Sequence, residues 1–254
     1  MPTTLVVSNR KGGAGKTTVS VNLAAALAAL GRRVLLVDLD SQSHCAMGVG
    51  IKVGKTTPTS HDLFRSQEAR LAAAILPTAF PNLALVPADP LFEHGSGRRD
   101  EGLLAQALAE EEITTAFDVV ILDTPPSLDI LLLNALMAAD WVLVPYVPHP
   151  LSFEGVRQLT RVLFKIISGP NQGLKLAGFL PMMAAEHIRQ HRAVNSDVAR
   201  QFGDLRILPG IRNDIRLAES FGAGKPIHYY APQSRAAEDF AILAAVITEK
   251  VWNS

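Results

Sequence analysis

Two lysines bracket a glycine-rich run, Lys11-Gly12-Gly13-Ala14-Gly15-Lys16, which continues into Thr17 and Thr18. Glycines let consecutive backbone N–H groups turn inward around an anion. A helix beginning near Lys16 would offer the same anion its unpaired N–H groups and the positive end of its dipole. Lys16 is placed to reach β- and γ-phosphates, and Thr17 to put a hydroxyl on magnesium. The strict phosphate-loop pattern G-x-x-x-x-G-K-[ST] fails here, because its first glycine falls on Arg10. Lys11 is surplus to that chemistry and asks for another explanation.

Three carboxylates could serve the same site. An apolar run at residues 33–37 ends in Asp38-Leu39-Asp40, and a second at residues 117–122 ends in Asp123. In a parallel sheet, ligands collect at the carboxyl ends of strands, so these acids should converge on the glycine turn. Asp38 and Asp123 suit the magnesium shell, directly or through water, together with Thr17. Asp40 could orient the attacking water or accept its proton.

These residues need a framework that brings strand ends together. Apolar runs lacking polar alternation alternate with helical stretches, which predicts an α/β fold with a mostly parallel β-sheet covered by helices on both faces. Strands are expected at residues 5–8, 33–37, 83–86, 117–122, 141–145, 174–180 and 206–208. Helices are expected at residues 17–30, 63–76, 100–112, 130–138, 153–167, 187–201, 214–221 and 236–250. The polar stretch 48–60 reads as a loop beside the first carboxylate pair. A length of 254 residues fits a single domain spanning 1–254. Formal net charge is zero and Cys45 is the sole cysteine, which excludes a disulfide framework and agrees with a reducing compartment. Lys11 and Gly12 interrupt the first apolar stretch, so no signal peptide is expected, and no apolar run is long enough to span a bilayer.

Lys11 to Thr18 resembles the deviant Walker A motif of the ParA/MinD class of P-loop ATPases. Asp38-Leu39-Asp40 with Gln42 is similar to its switch I. Asp123-Thr124-Pro125-Pro126-Ser127 with Asn134-Ala135-Leu136 is similar to its Walker B strand and switch II. Residues 211–230, with Arg216-Leu217-Ala218-Glu219 and Gly224-Lys225-Pro226-Ile227, resemble the late segment of the short, Soj-like ParA branch. The resemblance implies a magnesium-dependent ATPase with ATP and Mg2+ as cofactors. It implies a homodimer with ATP sandwiched at the interface, in which Lys11 reaches the partner's phosphates. Lys11, Lys16 and Asp40 are then the catalytic candidates. Gly12, Gly13, Ala14, Gly15, Lys16, Thr17 and Thr18 would cradle the phosphates, and Pro209, Ile211, Arg212 and Asn213 would lie near adenine. No Asn-Lys-x-Asp segment for reading guanine is present, which favours ATP. Two features depart from the family. Ser41 stands where proline is common, removing a fixed φ, and Met182-Met183 follows a strand where many relatives carry threonine and a polar loop. A lone cysteine cannot supply the paired cysteines of the iron–sulfur relatives.

The resemblance also implies a cytoplasmic, nucleoid-associated protein that binds DNA non-specifically and is released when a ParB-like or cargo-adaptor protein stimulates hydrolysis. Arg189, Arg192, Arg200, Arg206 and Arg216 are the DNA candidates, since phosphate contacts need no base readout. The cargo stays open between a plasmid or chromosome and a protein assembly such as a carboxysome or chemoreceptor cluster. A MinD-like, membrane-associated ATPase is the alternative. The final stretch, residues 244–254, has one lysine offset by one glutamate, which is weak support for an interfacial helix, so direct membrane anchoring is not expected.

Overall fold

Strand residues in this chain are apolar on both faces, and the fold uses both. We describe a computed structural model; it covers all residues except His94, Ser96, Glu186, Asn253 and Ser254, and the side chain of Leu151 is likewise outside the description. In chain order the elements are β1 (Thr3–Val7), α1 (Lys16–Ala29), β2 (Val34–Asp38), α2 (His44–Gly48), α3 (Asp62–Arg65), a 3-10 turn (Leu71–Ala74), β3 (Leu76–Pro77) and β4 (Leu83–Val86). There follow α4 (Leu103–Leu108), α5 (Glu111–Ala116), β5 (Val119–Asp123), α6 (Ile130–Ala138), β6 (Trp141–Tyr146) and α7 (Pro150–Ile167). The chain closes with β7 (Lys175–Ala184), α8 (Arg189–Phe202), a 3-10 turn (Asp204–Arg206), β8 (Ile211–Arg212), α9 (Arg216–Gly222), α10 (Ile227–Tyr230) and α11 (Arg235–Trp252).

The described strands form one sheet in the order β3-β4-β2-β5-β1-β6-β7-β8. Every pairing is parallel except that of β3 with β4 at the edge. Alternation along the strands divides the core in two. Leu5, Val7, Val34 and Leu36 face the layer built from α1, α9, α10 and α11. Val6, Leu35 and Val37 face the layer built from α3 to α8. Because β1 lies between β5 and β6, its carboxyl end opens at the centre of the sheet beside that of β5, with β2 one strand further out. α1 is apolar nearly all round, as a helix flanked by α2, α10 and α11 should be.

Three sequence expectations are corrected. The helix expected at 63–76 is only α3 and a 3-10 turn, because Leu76–Pro77 is drawn into antiparallel pairing with β4. The helix expected at 100–112 splits into α4 and α5; the Asn134 amide binds the Leu104 N–H (3.0 Å) and the Asp100 carbonyl (2.8 Å), anchoring the start of α4. The strand expected at 206–208 is displaced to Ile211–Arg212. Arg206 ends a 3-10 turn, Ile207 makes only a single bridge to Phe179, and Pro209 has no N–H to carry the ladder on. One short helix, α2, forms just ahead of the stretch read as a loop.

Candidate nucleotide-binding site

The loop between β1 and α1 is shaped by glycine where no other residue fits. Gly13 (φ 72°) and Gly15 (φ 86°) are left-handed. A Cβ on Gly12 or Gly13 would meet nothing within 4 Å, whereas one on Gly15 would lie 3.1 Å from Met182 Cε. Gly15 caps α1 without a side-chain acceptor, and no acid occupies the first turn. The first N–H groups of a fourteen-residue helix therefore have no side-chain cap, and the residues that carry them line a cavity of about 580 Å³. Gly12 to Thr18, Asp40, Gln42 and Ser127 line that cavity. Lys16 is 7% exposed, and burial lowers its pKa against the opposing pull of Asp123 and Asp40.

The carboxylates assemble as the strand ends dictate. Asp38 and Asp123 are register partners at the ends of β2 and β5, and both are wholly buried. Asp123 accepts hydrogen bonds from Thr17 Oγ1 (2.7 Å) and Ser20 Oγ (2.8 Å). Asp38 accepts them from the N–H groups of Asp40 (3.0 Å) and Cys45 (3.1 Å). Burial raises the pKa of both, and mutual repulsion pushes Asp38 further up. Two such groups with a threonine hydroxyl form an oxygen donor set that fits Mg2+, a hard cation. Bound there, Mg2+ would neutralise charge on the β- and γ-phosphates. Cys45 Sγ, 3.4 Å from Asp123 Oδ2, completes a group whose ligand atoms lie within 4.8 Å. Its pKa is driven well up by burial and by both acids, so it packs there as a neutral thiol. The sequence offered Cys45 as a clue to compartment and against iron–sulfur relatives; its place after Asp38-Leu39-Asp40 could have suggested more. Asp40, half-buried, faces the cavity and accepts the Gln42 N–H (3.0 Å).

A family model described as "AAA domain" matches residues 2–176. The "Chromosome partitioning protein ParA" of Caulobacter vibrioides is 33% identical over 251 residues, covering 97% of this chain and 94% of that protein. The chain belongs to the ParA/MinD class of P-loop ATPases. The "Sporulation initiation inhibitor protein Soj" of Bacillus subtilis is 35% identical, covering 94% of this chain and 96% of that protein. Among solved structures, a cobyrinic acid a,c-diamide synthase from Mycobacterium smegmatis "with bound ADP and Magnesium" is 32% identical with a TM-score of 0.78, covering 100% of this chain and 97% of that one. As a member of this family with a fitting phosphate cradle and oxygen cluster, the chain is a Mg2+-dependent ATPase whose cofactors are ATP and Mg2+.

The remaining site candidates are distributed as follows. A second cavity of about 590 Å³ adjoins the first, sharing Gly13, Gly15 and Thr18 with it. Ile211, Arg212 and Asn213 line it, as do Met182, Met183, Leu217 and Phe221, an apolar surround suited to a base. Met183 holds a left-handed φ of 52°, beside a register shift in the β7–β8 pairing. Pro209 lines a neighbouring cavity with His187 and Gly210 instead. The Arg212 guanidinium is engaged elsewhere: it donates to Asp239 Oδ1 (2.7 Å) and Glu238 Oε2 (2.6 Å), tying β8 to α11. Those hydrogen bonds raise its pKa further.

Lys11 is not among the residues lining the phosphate cavity. Its backbone N–H donates to Asn9 Oδ1 (3.0 Å), and Asn9 Nδ2 donates to the Pro145 carbonyl (2.7 Å) at the end of β6. Its Nζ donates to Ser152 Oγ (3.2 Å) in the first turn of α7. The five DNA-candidate arginines are all exposed, but they do not share one face. Arg189, Arg192 and Arg200 lie on α8, whose Val194 and Val198 pack into one core layer. Arg206 follows in the 3-10 turn, and Arg216 begins α9, whose Leu217 and Phe221 pack into the other. Arg200 is paired with Asp197 at 2.6 Å.

Proposed function

We propose that this chain is an ATP-gated dimerising switch that positions a cellular cargo. Two subunits close over their nucleotides, and Lys11 of each reaches the phosphates of the other. The observation that supports this reading is the position of Lys11. A cation at the base of the phosphate loop stands outside its own phosphate cavity, while Lys16 already serves that cavity. A lysine acting in trans couples dimerisation to the charge on the γ-phosphate. Gly12 to Thr18 hold the phosphates, Asp38, Asp123 and Thr17 hold the magnesium, and Asp40 positions the water. Ile211 and Asn213 bound the base.

The dimer runs on DNA bound non-specifically, with Arg189 and Arg192 on α8 as the leading phosphate contacts. Relatives named for chromosome partitioning support a DNA-associated role. Positioning of a large cargo, a replicon or a protein assembly, is the reading adopted, with a ParB-like or adaptor protein triggering hydrolysis. The membrane alternative is less favoured. α11 is docked through Phe240, Leu243 and Ile247, and Trp252 Nε1 donates to Thr3 Oγ1 (3.1 Å) under Arg32. No described helix is long and apolar enough to cross a membrane.

Asp40→Ala tests the cycle. The variant should bind ATP, accumulate as dimer in sedimentation, and fail to release phosphate. An Asp40→Ala protein that stays monomeric with saturating ATP and Mg2+ while still binding ATP would remove the dimer reading.

A further inference from the structure

We infer that His61, together with Ser60, is a positioning residue for ATP hydrolysis: the pair fixes the two peptide groups that join Asp38 to Asp40, and so sets the direction in which Asp40 enters the phosphate cavity. The inference rests on the reading of Asp40 as the residue that positions the attacking water.

Asp38 ends β2, and Leu39 and Asp40 follow it outside any regular element. Buried peptide groups past a strand end need partners from elsewhere. Here each of the two peptide planes is held at both edges. The one joining Asp38 to Leu39 donates its N–H to the Asp123 carbonyl (2.9 Å), and its oxygen accepts the Ser60 hydroxyl. The one joining Leu39 to Asp40 donates its N–H to Asp38 Oδ1 (3.0 Å), and its oxygen lies 3.2 Å from His61 Nε2. A carbonyl only accepts, and His61 Nδ1 accepts the Asp89 N–H (3.0 Å). The imidazole is therefore neutral, with its proton on Nε2 and donated to Leu39.

The two residues that hold these planes are themselves held. Ser60 and His61 are wholly buried just ahead of α3. The Ser60 N–H donates to the Pro87 carbonyl (2.9 Å) past the end of β4. His61 stacks on Phe92, with ring centroids 4.2 Å apart and planes 9° from parallel. Arg65 closes the outer side, pairing with Asp89 at 2.6 Å and lying over the Phe92 ring. The same segment reaches the other flank of Asp40, where Ser43 Oγ donates to the Ala88 carbonyl (3.2 Å) and the Ser43 N–H to the Asp40 carbonyl (2.8 Å). Residues 59–61 and 87–92 thus back residues 38–43. Neither Ser60 nor His61 lines the phosphate cavity, whereas Asp40 does. They act on the reaction through Asp40 and not on the nucleotide. A displacement of about 1 Å in a catalytic group can cost a hundredfold in rate, so the orientation of the Leu39–Asp40 peptide is worth fixing.

The test is steady-state ATP hydrolysis with Mg2+ by the intact chain, His61→Gln, His61→Asn, Ser60→Ala and Asp40→Ala, with ADP affinity and melting temperature measured on each. Glutamine can place an amide nitrogen where His61 has Nε2, keeping a donor for the Leu39 carbonyl. Asparagine can place its amide oxygen near the Nδ1 position, keeping only the Asp89 contact. Both lose the stacking on Phe92 alike. We expect His61→Gln to keep most of the intact kcat and His61→Asn to lose about ten- to a hundredfold. The KM for ATP and the affinity for ADP should stay within about twofold in both. Ser60→Ala should lower kcat by about two- to tenfold at unchanged KM. A merely structural histidine would make the two His61 variants equally defective, or move kcat and KM together, and either result overturns the inference. If the His61 variants do not fold, Ser60→Ala decides, and an unchanged kcat there overturns it. An Asp40→Ala protein as active as the intact chain removes the Asp40 reading and the inference together. An inactive Asp40→Ala beside a fully active His61→Asn removes the inference alone.

Discussion

Asp38 and Asp123 face each other in register at the ends of adjacent parallel strands, both without solvent exposure. Two carboxyl groups buried side by side in that position suit a cation. Burial raises both pKa values, first through desolvation and for Asp38 next through Asp123. A raised folded-state pKa means that the folded protein binds the proton more tightly than the unfolded one. In the metal-free protein this contribution is intact below the unfolded carboxylate pKa of about 3.9. It is lost as pH rises from there through the raised folded values. Thermal melts in EDTA should show stability falling over that interval relative to an Asp38→Asn variant. Added Mg2+ with ADP should restore it, and the restoration should grow with pH. An EDTA melting curve with the same pH slope in the intact chain and in Asp38→Asn would contradict this account of the pair.

Gly15 joins backbone geometry to the cavity lined by Met182, Ile211 and Asn213. Its φ of 86° is left-handed, and a Cβ there would meet Met182 Cε at 3.1 Å and Cγ at 3.2 Å. Gly15→Ala should cost about 1–2 kcal/mol from the backbone alone, with further strain from the methionine. It should also abolish nucleotide binding by tilting the first N–H groups of α1. Gly12→Ala, where a Cβ meets nothing, should leave stability nearly unchanged and affect only ligand binding. Paired melts and ADP titrations compare the two.

The arginines on α8 should contact DNA phosphates together, while Arg216 begins α9, which packs on the opposite core layer. Replacing Arg189 and Arg192 by alanine should weaken ATP-dependent DNA binding about equally across sequences. It should also reduce the slope of log affinity against log salt by about two. ATP hydrolysis without DNA should be unaffected. An unchanged salt slope would move the DNA surface elsewhere.

The glycine turn and the convergence of the carboxylates were legible in the sequence because each is set by local chain geometry. Glycines dictate the turn, and an acid following an apolar run lies at a strand end whatever the rest of the fold does. Lys11 was legible as surplus but its docking was not, since Ser152 is 141 positions away and a serine in a first helical turn is ordinary. Cys45 reached Asp123 through the short helix α2, which formed in a region without an apolar period. Residues 63–76 show the reverse failure. Leu71-Ala72-Ala73-Ala74 has high helix propensity, yet the pairing of Leu76–Pro77 with β4 overrides it. Arg212 lines the second cavity beside Ile211 and Asn213, but its partners Glu238 and Asp239 come from α11 and no local pattern announces them.

The central claim is that Lys11 acts across the dimer interface, and one comparison tests it most directly. Sedimentation velocity of Lys11→Ala with a non-hydrolysable ATP analogue and Mg2+ should show a monomer at concentrations where the intact chain is a dimer. Two lost charge-assisted contacts should weaken association by about a hundredfold or more. Nucleotide binding to the monomer should survive, because Lys16 and the uncapped amino terminus of α1 remain. A Lys11→Ala protein that dimerises as tightly as the intact chain would contradict the account.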